Sequence, residues 1–114
     1  MPKISIITST YNRQERLVAA IESVRNQTFD DWELIIVDDH STDSTEQVVS
    51  GYLNDRIKYI RLGENFGNDT RPKNIGIMAS TGEYIAFLVD DNVYRPDHLQ
   101  ALINVIERED VDGV

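Results

Sequence analysis

The chain of 114 residues is long enough for one domain with a substantial core, and its apolar (40%) and charged (27%) fractions are ordinary for a globular protein. Its formal net charge of −9 repels nucleic acids and anionic membranes, so a polyanionic ligand would need local basic groups or a metal ion. The absence of cysteine excludes disulfides and thiolate metal sites, and no apolar run approaches the ~20 residues of a membrane span.

Strand and helix patterns alternate along the chain. Apolar, β-branched runs predict strands at residues 3–8, 32–37, 57–62 and 84–89. Helix patterns follow the four strands, beginning near Asn12, Asp43, Asn74 and Pro96. Since strand–helix–strand connections are right-handed, this order predicts a three-layer α/β/α fold with a mostly parallel sheet.

Local signals refine this outline. Asn12, with Glu15 three residues later, predicts the N-cap of the first helix, and Asp43 predicts the N-cap of the second. Residues 63–70 have the composition of a loop. The third strand alternates apolar and polar residues, as an edge or half-exposed strand does, whereas the fourth is a continuous apolar run typical of a strand buried on both faces.

Polar residues follow three strands at the same edge of the predicted sheet. Asp90 and Asp91 follow the fourth strand, Asp38 and Asp39 follow the second, and the Ser-Thr-Tyr run at 9–11 follows the first. Open α/β sheets bind ligands at this edge, and adjacent carboxylates that are costly to desolvate favour a divalent cation. An aromatic ring and carboxylate acceptors also suit a base and a ribose. The pattern therefore indicates a nucleotide whose diphosphate reaches a metal ion.

Most of the sequence resembles the pattern of glycosyltransferase family 2. The matching segments occur in that family's order and spacing, at residues 4–13, 20–24, 27–29, 33–43 and 82–88. The resemblance implies a GT-A fold of the Rossmann-like type. It also implies transfer of a sugar from a nucleotide-diphosphate donor, expected to be UDP-linked, to a saccharide or lipid-linked acceptor. The reaction is usually inverting and is assisted by Mn²⁺ or Mg²⁺.

The resemblance assigns roles to five residues that follow the strands. Ser9, Tyr11 and Asp39 match positions that hold the nucleobase, and Asp39 faces the N–H of uracil. Asp90 matches a ribose contact, and Asp91 matches the metal ligand.

The phosphate and metal positions depart in part from the family pattern. Lys73 and Asn74 match an Arg-Asn pair near the diphosphate, and Arg71 is a basic neighbour in the same segment. Val89 stands where the family's acidic motif has its first Asp, which leaves Asp91 as the side-chain anchor for the metal. Mg²⁺ and Mn²⁺ sites often combine one or two carboxylates with phosphate oxygens and water, so this departure is tolerable.

The family's general base matches no residue of this chain and is expected beyond position 114, so no catalytic residue is assigned here. The sequence resembles the donor-binding half of a GT-A domain, so the chain corresponds to a truncated domain that lacks the acceptor-binding half. We expect a cytoplasmic location, with any association with the membrane made through regions outside this chain. No nucleic-acid partner is expected, and a homo-oligomer is compatible with the sequence.

Plainer interpretations exist for several of these residues. Asp38 fits a capping or loop-holding role, Tyr11 fits packing on the first helix, and Lys73 fits a solvated side chain. No second His or Cys stands at ligand spacing from His40 or His98, so both are expected to be surface or loop residues and transition-metal chemistry is not expected.

Other functions remain alternatives at the level of the sequence. A sugar-phosphate nucleotidyltransferase needs a glycine-rich basic loop after the first strand, and residues 9–12 contain no glycine. A phosphoacceptor signalling domain needs a different arrangement of acids. A non-catalytic nucleotide-binding module stays open.

Overall fold

The computed structural model describes residues 2–65, 67, 70–88 and 94–111, with side chains in the last helix as far as Ile106. The strands are β1 (Ile4–Thr10), β2 (Trp32–Asp38), β3 (Ile57–Arg61) and β4 (Tyr84–Phe87). The helices are α1 (Gln14–Arg25), α2 (Thr45–Ser50), α3 (Thr70–Ala79) and α4 (His98–Val111). The four strands pair in parallel in the order β3-β2-β1-β4. The predicted alternation and the parallel sheet are confirmed.

Helices cover both faces of the sheet, which gives the predicted three layers. The larger core lies on the side of α1, α2 and α4, where alternate residues of β1 and β2 pack against the apolar faces of those helices. A smaller core lies on the other side, where Ile75 and Ala79 of α3 pack on a cluster formed by Ile35, Val37 and Leu62. Gly76 lets α3 approach closely, because a Cβ at that position would lie 2.5 Å from Ile7.

Strand β4 is half-exposed, so the prediction that it is buried on both faces is wrong. Ile85 and Phe87 are 42% and 46% exposed, whereas Tyr84 and Ala86 pack partly against the larger core. Among the described strands β4 lies at one end of the sheet, and α3 packs over β1 and β2. The apolar run is therefore covered on one side. The predicted edge position of β3, at the other end of the described sheet, is confirmed.

Two helices begin at positions that differ from the prediction. Helix α3 begins at Thr70, the last residue of the predicted loop and four residues before the predicted start near Asn74. Pro72 is buried in its first turn, where a missing backbone N–H costs nothing. Helix α4 begins at His98, two residues after Pro96. In the described part of the chain no helix combines the length and the apolar character needed to cross a membrane.

Candidate functional site

The carboxyl ends of β1 and β2 lie side by side, as the sequence predicted. The backbone N–H of Asp39 donates to the carbonyl of Thr10 at 2.9 Å, which joins Asp39 to the residue between Ser9 and Tyr11. Asp39 is 5% exposed, and Tyr11 is 42% exposed. A carboxylate at the rim of the sheet thus lies beside a strand end that carries a hydroxyl and a partly exposed aromatic ring.

The preceding acid, Asp38, is fully buried and makes its hydrogen bonds within the protein. Its Oδ1 accepts from the backbone N–H of Ser41 (2.9 Å) and from the hydroxyl of Ser41 (2.6 Å), and its Oδ2 accepts from the hydroxyl of Tyr59 (2.5 Å). Burial, together with the hydrogen bond to Asp38, raises the pKa of Tyr59 above its usual value. The loop-holding interpretation of Asp38 is confirmed.

Asn12 connects the loop after β1 to the loop after β2, and the prediction that it caps α1 is wrong. Its side-chain Oδ1 accepts the backbone N–H groups of Thr42 (2.7 Å) and Asp43 (3.2 Å). Its own backbone N–H donates to the hydroxyl of Ser41 at 2.9 Å. Helix α1 begins at Gln14 without a side-chain cap, because the Asn12 oxygen is already used by the other loop. The N-cap of α2 is Ser44, one residue after the predicted Asp43, although the Asp43 carboxylate accepts the backbone N–H of Thr45 at 3.0 Å.

The loop after β2 is also attached to the segment after β3. His40 has a left-handed backbone (φ 64°), and its ring Nδ1 donates to the carbonyl of Leu62 at 3.0 Å. The amide of Asn65 donates to the carbonyl of Asp39 at 3.1 Å. His40 is therefore a loop residue, as predicted. Left-handed conformations at non-glycine residues give no clear signal in a sequence. The positive φ angles of His40 and Asn12 were therefore not predictable.

Lys73 projects from α3 toward the end of β4. Its Nζ lies 5.4 Å from the centroid of the Phe87 ring, within the range of a cation–π interaction. The strand direction continues to Leu88, whose N–H donates to Ile7 and whose carbonyl accepts from the Thr8 hydroxyl. The expected ribose and metal contacts, Asp90 and Asp91, lie outside the described residues.

The chain on either side of residues 89–93 is fixed by hydrogen bonds. The hydroxyl of Tyr94 donates to the carbonyl of Phe87 (3.1 Å), and the N–H of Tyr94 donates to the hydroxyl of Ser23 (3.0 Å). The amide of Gln27 donates to the carbonyl of Arg95 at 2.6 Å. The sequence pattern indicated no role for Ser23 or Gln27, although both residues stand in segments that match the family pattern, 20–24 and 27–29.

The described part of the chain contains no group of three or more His, Cys, Asp or Glu side chains that could hold a metal ion.

The fold places this chain among GT-A glycosyltransferase structures. The structure of residues 1–349 of TarS from S. aureus matches with a TM-score of 0.88 and 30% identity, over 93% of this chain and 32% of that one. The same TarS fragment has been solved with UDP and with UDP-GlcNAc. The mannosyltransferase PcManGT from Pyrobaculum calidifontis, in complex with GDP-Man and Mn²⁺, matches at 0.73 and 23% identity, over 82% and 28% of the two chains. The latter shares the fold.

The sequence model of glycosyl transferase family 2 matches residues 5–114, so the chain belongs to this family. The GalNAc(5)-diNAcBac-PP-undecaprenol beta-1,3-glucosyltransferase of Campylobacter jejuni is 44% identical over 95 residues, 81% of this chain and 30% of that protein. The poly(ribitol-phosphate) beta-N-acetylglucosaminyltransferase TarP of Staphylococcus aureus is 40% identical over 108 residues, 91% and 33% of the two chains. The chain spans about a third of the length of these relatives. The family resemblance is confirmed.

Proposed function

We propose that this chain is the donor-binding part of a glycosyltransferase that transfers a sugar from a UDP-sugar to an acceptor hydroxyl. The observation that carries the proposal is the position of Asp39, which is 5% exposed and hydrogen-bonded through its backbone to Thr10, between Ser9 and Tyr11. The complexes of TarS with UDP and UDP-GlcNAc support a uridine nucleotide, because TarS is 30% identical over 93% of this chain.

The residue chemistry favours uracil over cytosine and adenine. An ionised carboxylate such as that of Asp39 only accepts hydrogen bonds, and the N3–H of uracil is a donor. The corresponding ring nitrogens of cytosine and adenine are acceptors, and a buried carboxylate beside them would lose its solvation without gaining a partner. Tyr11 offers a ring face against which a base can stack, and Ser9 offers a hydroxyl on the same strand end.

The diphosphate and metal are assigned to the neighbouring end of β4. Lys73, held over the ring of Phe87, is proposed to contact the diphosphate, with Arg71 two residues earlier in α3. Asp90 is proposed to contact the ribose, and Asp91 to bind Mn²⁺ or Mg²⁺, which supplies positive charge to the leaving diphosphate when bound. These two acids lie outside the described residues, and their roles are carried by the family resemblance.

The acceptor and the stereochemistry are proposed from the family. A lipid-linked or polymeric saccharide acceptor is consistent with the relatives whose names contain PP-undecaprenol and poly(ribitol-phosphate). Inversion needs a general base, and none is assigned among the residues of this chain. The cytoplasmic location stays a prediction.

Calorimetric titration with UDP, GDP and ADP tests the proposal. UDP should bind most tightly, and Asp39→Ala should weaken UDP binding by ~1.5–3 kcal/mol, the range for a hydrogen bond to a charged group. Asp39→Asn should also lose affinity, since its amide can present a donor to N3–H. Asp31→Ala removes the same charge from an exposed position before β2, at the opposite edge of the sheet, and is the matched control. Equal binding of the three nucleotides by the unmutated chain would contradict the assignment of Asp39.

A further inference from the structure

The residues proposed to read the base stand on two separate loops, and one hydrogen-bonded group fastens these loops together. We name this group the Asn12 clip: Asn12, Ser41, Thr42 and Asp43. Asn12 directly follows Tyr11, and Ser41 comes two residues after Asp39. The clip therefore lies next to both residues that are proposed to contact the base, Tyr11 and Asp39.

The hydrogen bonds of the clip have a fixed polarity. The Asn12 Oδ1 accepts two backbone N–H groups, those of Thr42 and Asp43, which can only donate. The orientation of the Asn12 amide is thereby determined. The side chain of Gln14 adds a parallel contact, accepting the N–H of Ser44 at 2.8 Å.

A buried anchor lies beneath the clip. The Ser41 hydroxyl has one proton, which it donates to Asp38, so its oxygen lone pairs are left to accept the Asn12 N–H. Asp38 is completely buried and also accepts from Tyr59 of β3. The chain of contacts runs from the interior of the sheet to the tip of the β1 loop, and its links from Asn12 to Ser41 and from Asp38 to Tyr59 join residues 29 and 21 positions apart.

We infer that Asn12 is a positioning residue for base selectivity: its clip sets the spacing between Tyr11 and Asp39 at which a base is read. This inference rests on the proposed function, because it presupposes that Asp39 and Tyr11 contact the base. Asn12 itself is exposed and is assigned no contact with the nucleotide. Discrimination needs the carboxylate within hydrogen-bonding reach of N3–H while the base is stacked, so loosening one loop against the other should lower selectivity before it abolishes binding.

The test is the ratio of the dissociation constants for ADP and UDP, measured by calorimetry on the whole chain. Asn12→Gly removes the side-chain bonds of the clip, retains the bond from the backbone N–H of residue 12 to Ser41, and keeps the left-handed backbone (φ 53°) free of strain. It should lower the preference for UDP roughly five- to tenfold, a part of the effect of losing a charged hydrogen bond. Asn12→Asp retains the acceptor and tolerates the same backbone, so it should keep the ratio within about twofold.

The chain contains a matched control at the opposite edge of the sheet. The Oδ1 of Asn54 also accepts two backbone N–H groups, those of Arg56 (2.7 Å) and Ile57 (2.9 Å), in the turn before β3. Asn54→Gly should lower the unfolding free energy by a similar amount and leave the ratio unchanged. Loss of folded protein scales the apparent affinities for UDP and ADP alike, so the ratio separates positioning from general stability.

Each outcome decides a different point. A preference for UDP that survives in Asn12→Gly, or that is lost equally in Asn54→Gly, overturns the inference and leaves the proposed function standing. If the unmutated chain shows no preference for UDP, the proposed reading of the base fails and the inference fails with it. Should Asn12→Gly not fold, Ser41→Ala tests the other bond of the clip, because it removes the acceptor of the Asn12 N–H, and it should likewise lower the preference for UDP.

Discussion

At the scale of single residues, Glu33 is a buried carboxylate whose hydrogen bonds stabilise its charge. It is 3% exposed and accepts from the Ser5 hydroxyl (2.5 Å), from the N–H (2.7 Å) and hydroxyl (2.9 Å) of Thr81, and from the Lys58 ammonium (3.0 Å). Burial raises the pKa of Glu33, but these donors outweigh it and lower the pKa from 4.5 to about 2. The carboxylate thereby ties the turn before β4 to the first residues of β1 and β2.

The lowered pKa of Glu33 predicts a loss of stability in acid. Because the pKa is lower in the folded state, the stabilisation is fully present above pH ~4.5 and is lost as the pH falls toward 2. The difference in unfolding free energy between the unmutated chain and Glu33→Gln should shrink by roughly 2 kcal/mol from pH 6 to pH 3. Urea unfolding at the two pH values measures it. Glu83→Gln, at an exposed ion pair with Lys3, controls for the change in net charge. An equal difference at both pH values would contradict the charged role.

Asp91 carries the second residue-scale prediction, which concerns the metal. If Asp91 is the anchor, Mn²⁺ and UDP should raise each other's affinity by the same factor, as linkage requires. Asp91→Asn removes the charge and keeps the shape, so the Mn²⁺-dependent gain should disappear while the metal-independent affinity for UDP remains. Calorimetry with and without Mn²⁺ measures both quantities. Asp90→Asn is the matched variant and should retain the gain, and the reverse result would exchange the roles of the two acids.

At the scale of elements, the position of α4 depends on the side chain of Gln27, which lies just after α1. Its Oε1 accepts the N–H of Leu99 in the first turn of α4 (2.9 Å), and its Nε2 donates to the carbonyls of Arg95 (2.6 Å) and Ser23 (3.0 Å). The backbone N–H of Thr28 adds a bond to Pro96. The side chain of Gln27 thus caps the N-terminus of α4, although Gln27 itself lies just after α1.

Removal of this amide should weaken the whole fold. Gln27→Ala leaves the buried Leu99 N–H and the Ser23 carbonyl without this partner, while the Arg95 carbonyl keeps the N–H of His98, so the unfolding free energy should fall by about 2–3 kcal/mol. Urea unfolding of the two proteins gives the value. Gln100→Ala, which removes an amide that donates to Asn104 on the exposed surface of α4, should change stability by less than about 0.5 kcal/mol. Similar losses in both variants would show that Gln27 acts only as one more surface amide.

At the scale of the whole molecule, the proposed function predicts donor binding without efficient transfer. The chain carries the residues proposed for the nucleotide but no residue assigned as general base, so a polypeptide of these 114 residues should bind UDP and release almost no sugar to an acceptor. A coupled assay of UDP release, run with a glycosyl acceptor and with water alone, measures this. Repeated rapid turnover with an acceptor would show that a base lies within the chain.

The sequence by itself determined the order of the elements, the parallel sheet and the family. These features are encoded locally: apolar runs mark the strands, helical spacing marks α1 and α4, and the handedness of the crossovers fixes the sheet. The edge where Ser9, Tyr11 and Asp39 meet was predictable for the same reason, since residues that follow parallel strands share one edge.

The tertiary structure alone decided which polar side chains position the site and which strand face is covered. Asn12 and Thr42 are 30 residues apart, and Gln27 and Leu99 are 72 residues apart, so no periodicity links their side chains. A local reading assigned Asn12 to the nearest helix, although its oxygen satisfies two N–H groups of another loop. The exposure of β4 likewise depends on how far α3 reaches across the sheet. Burial is a property of the packed molecule, and an apolar run in the sequence indicates only a tendency to be buried.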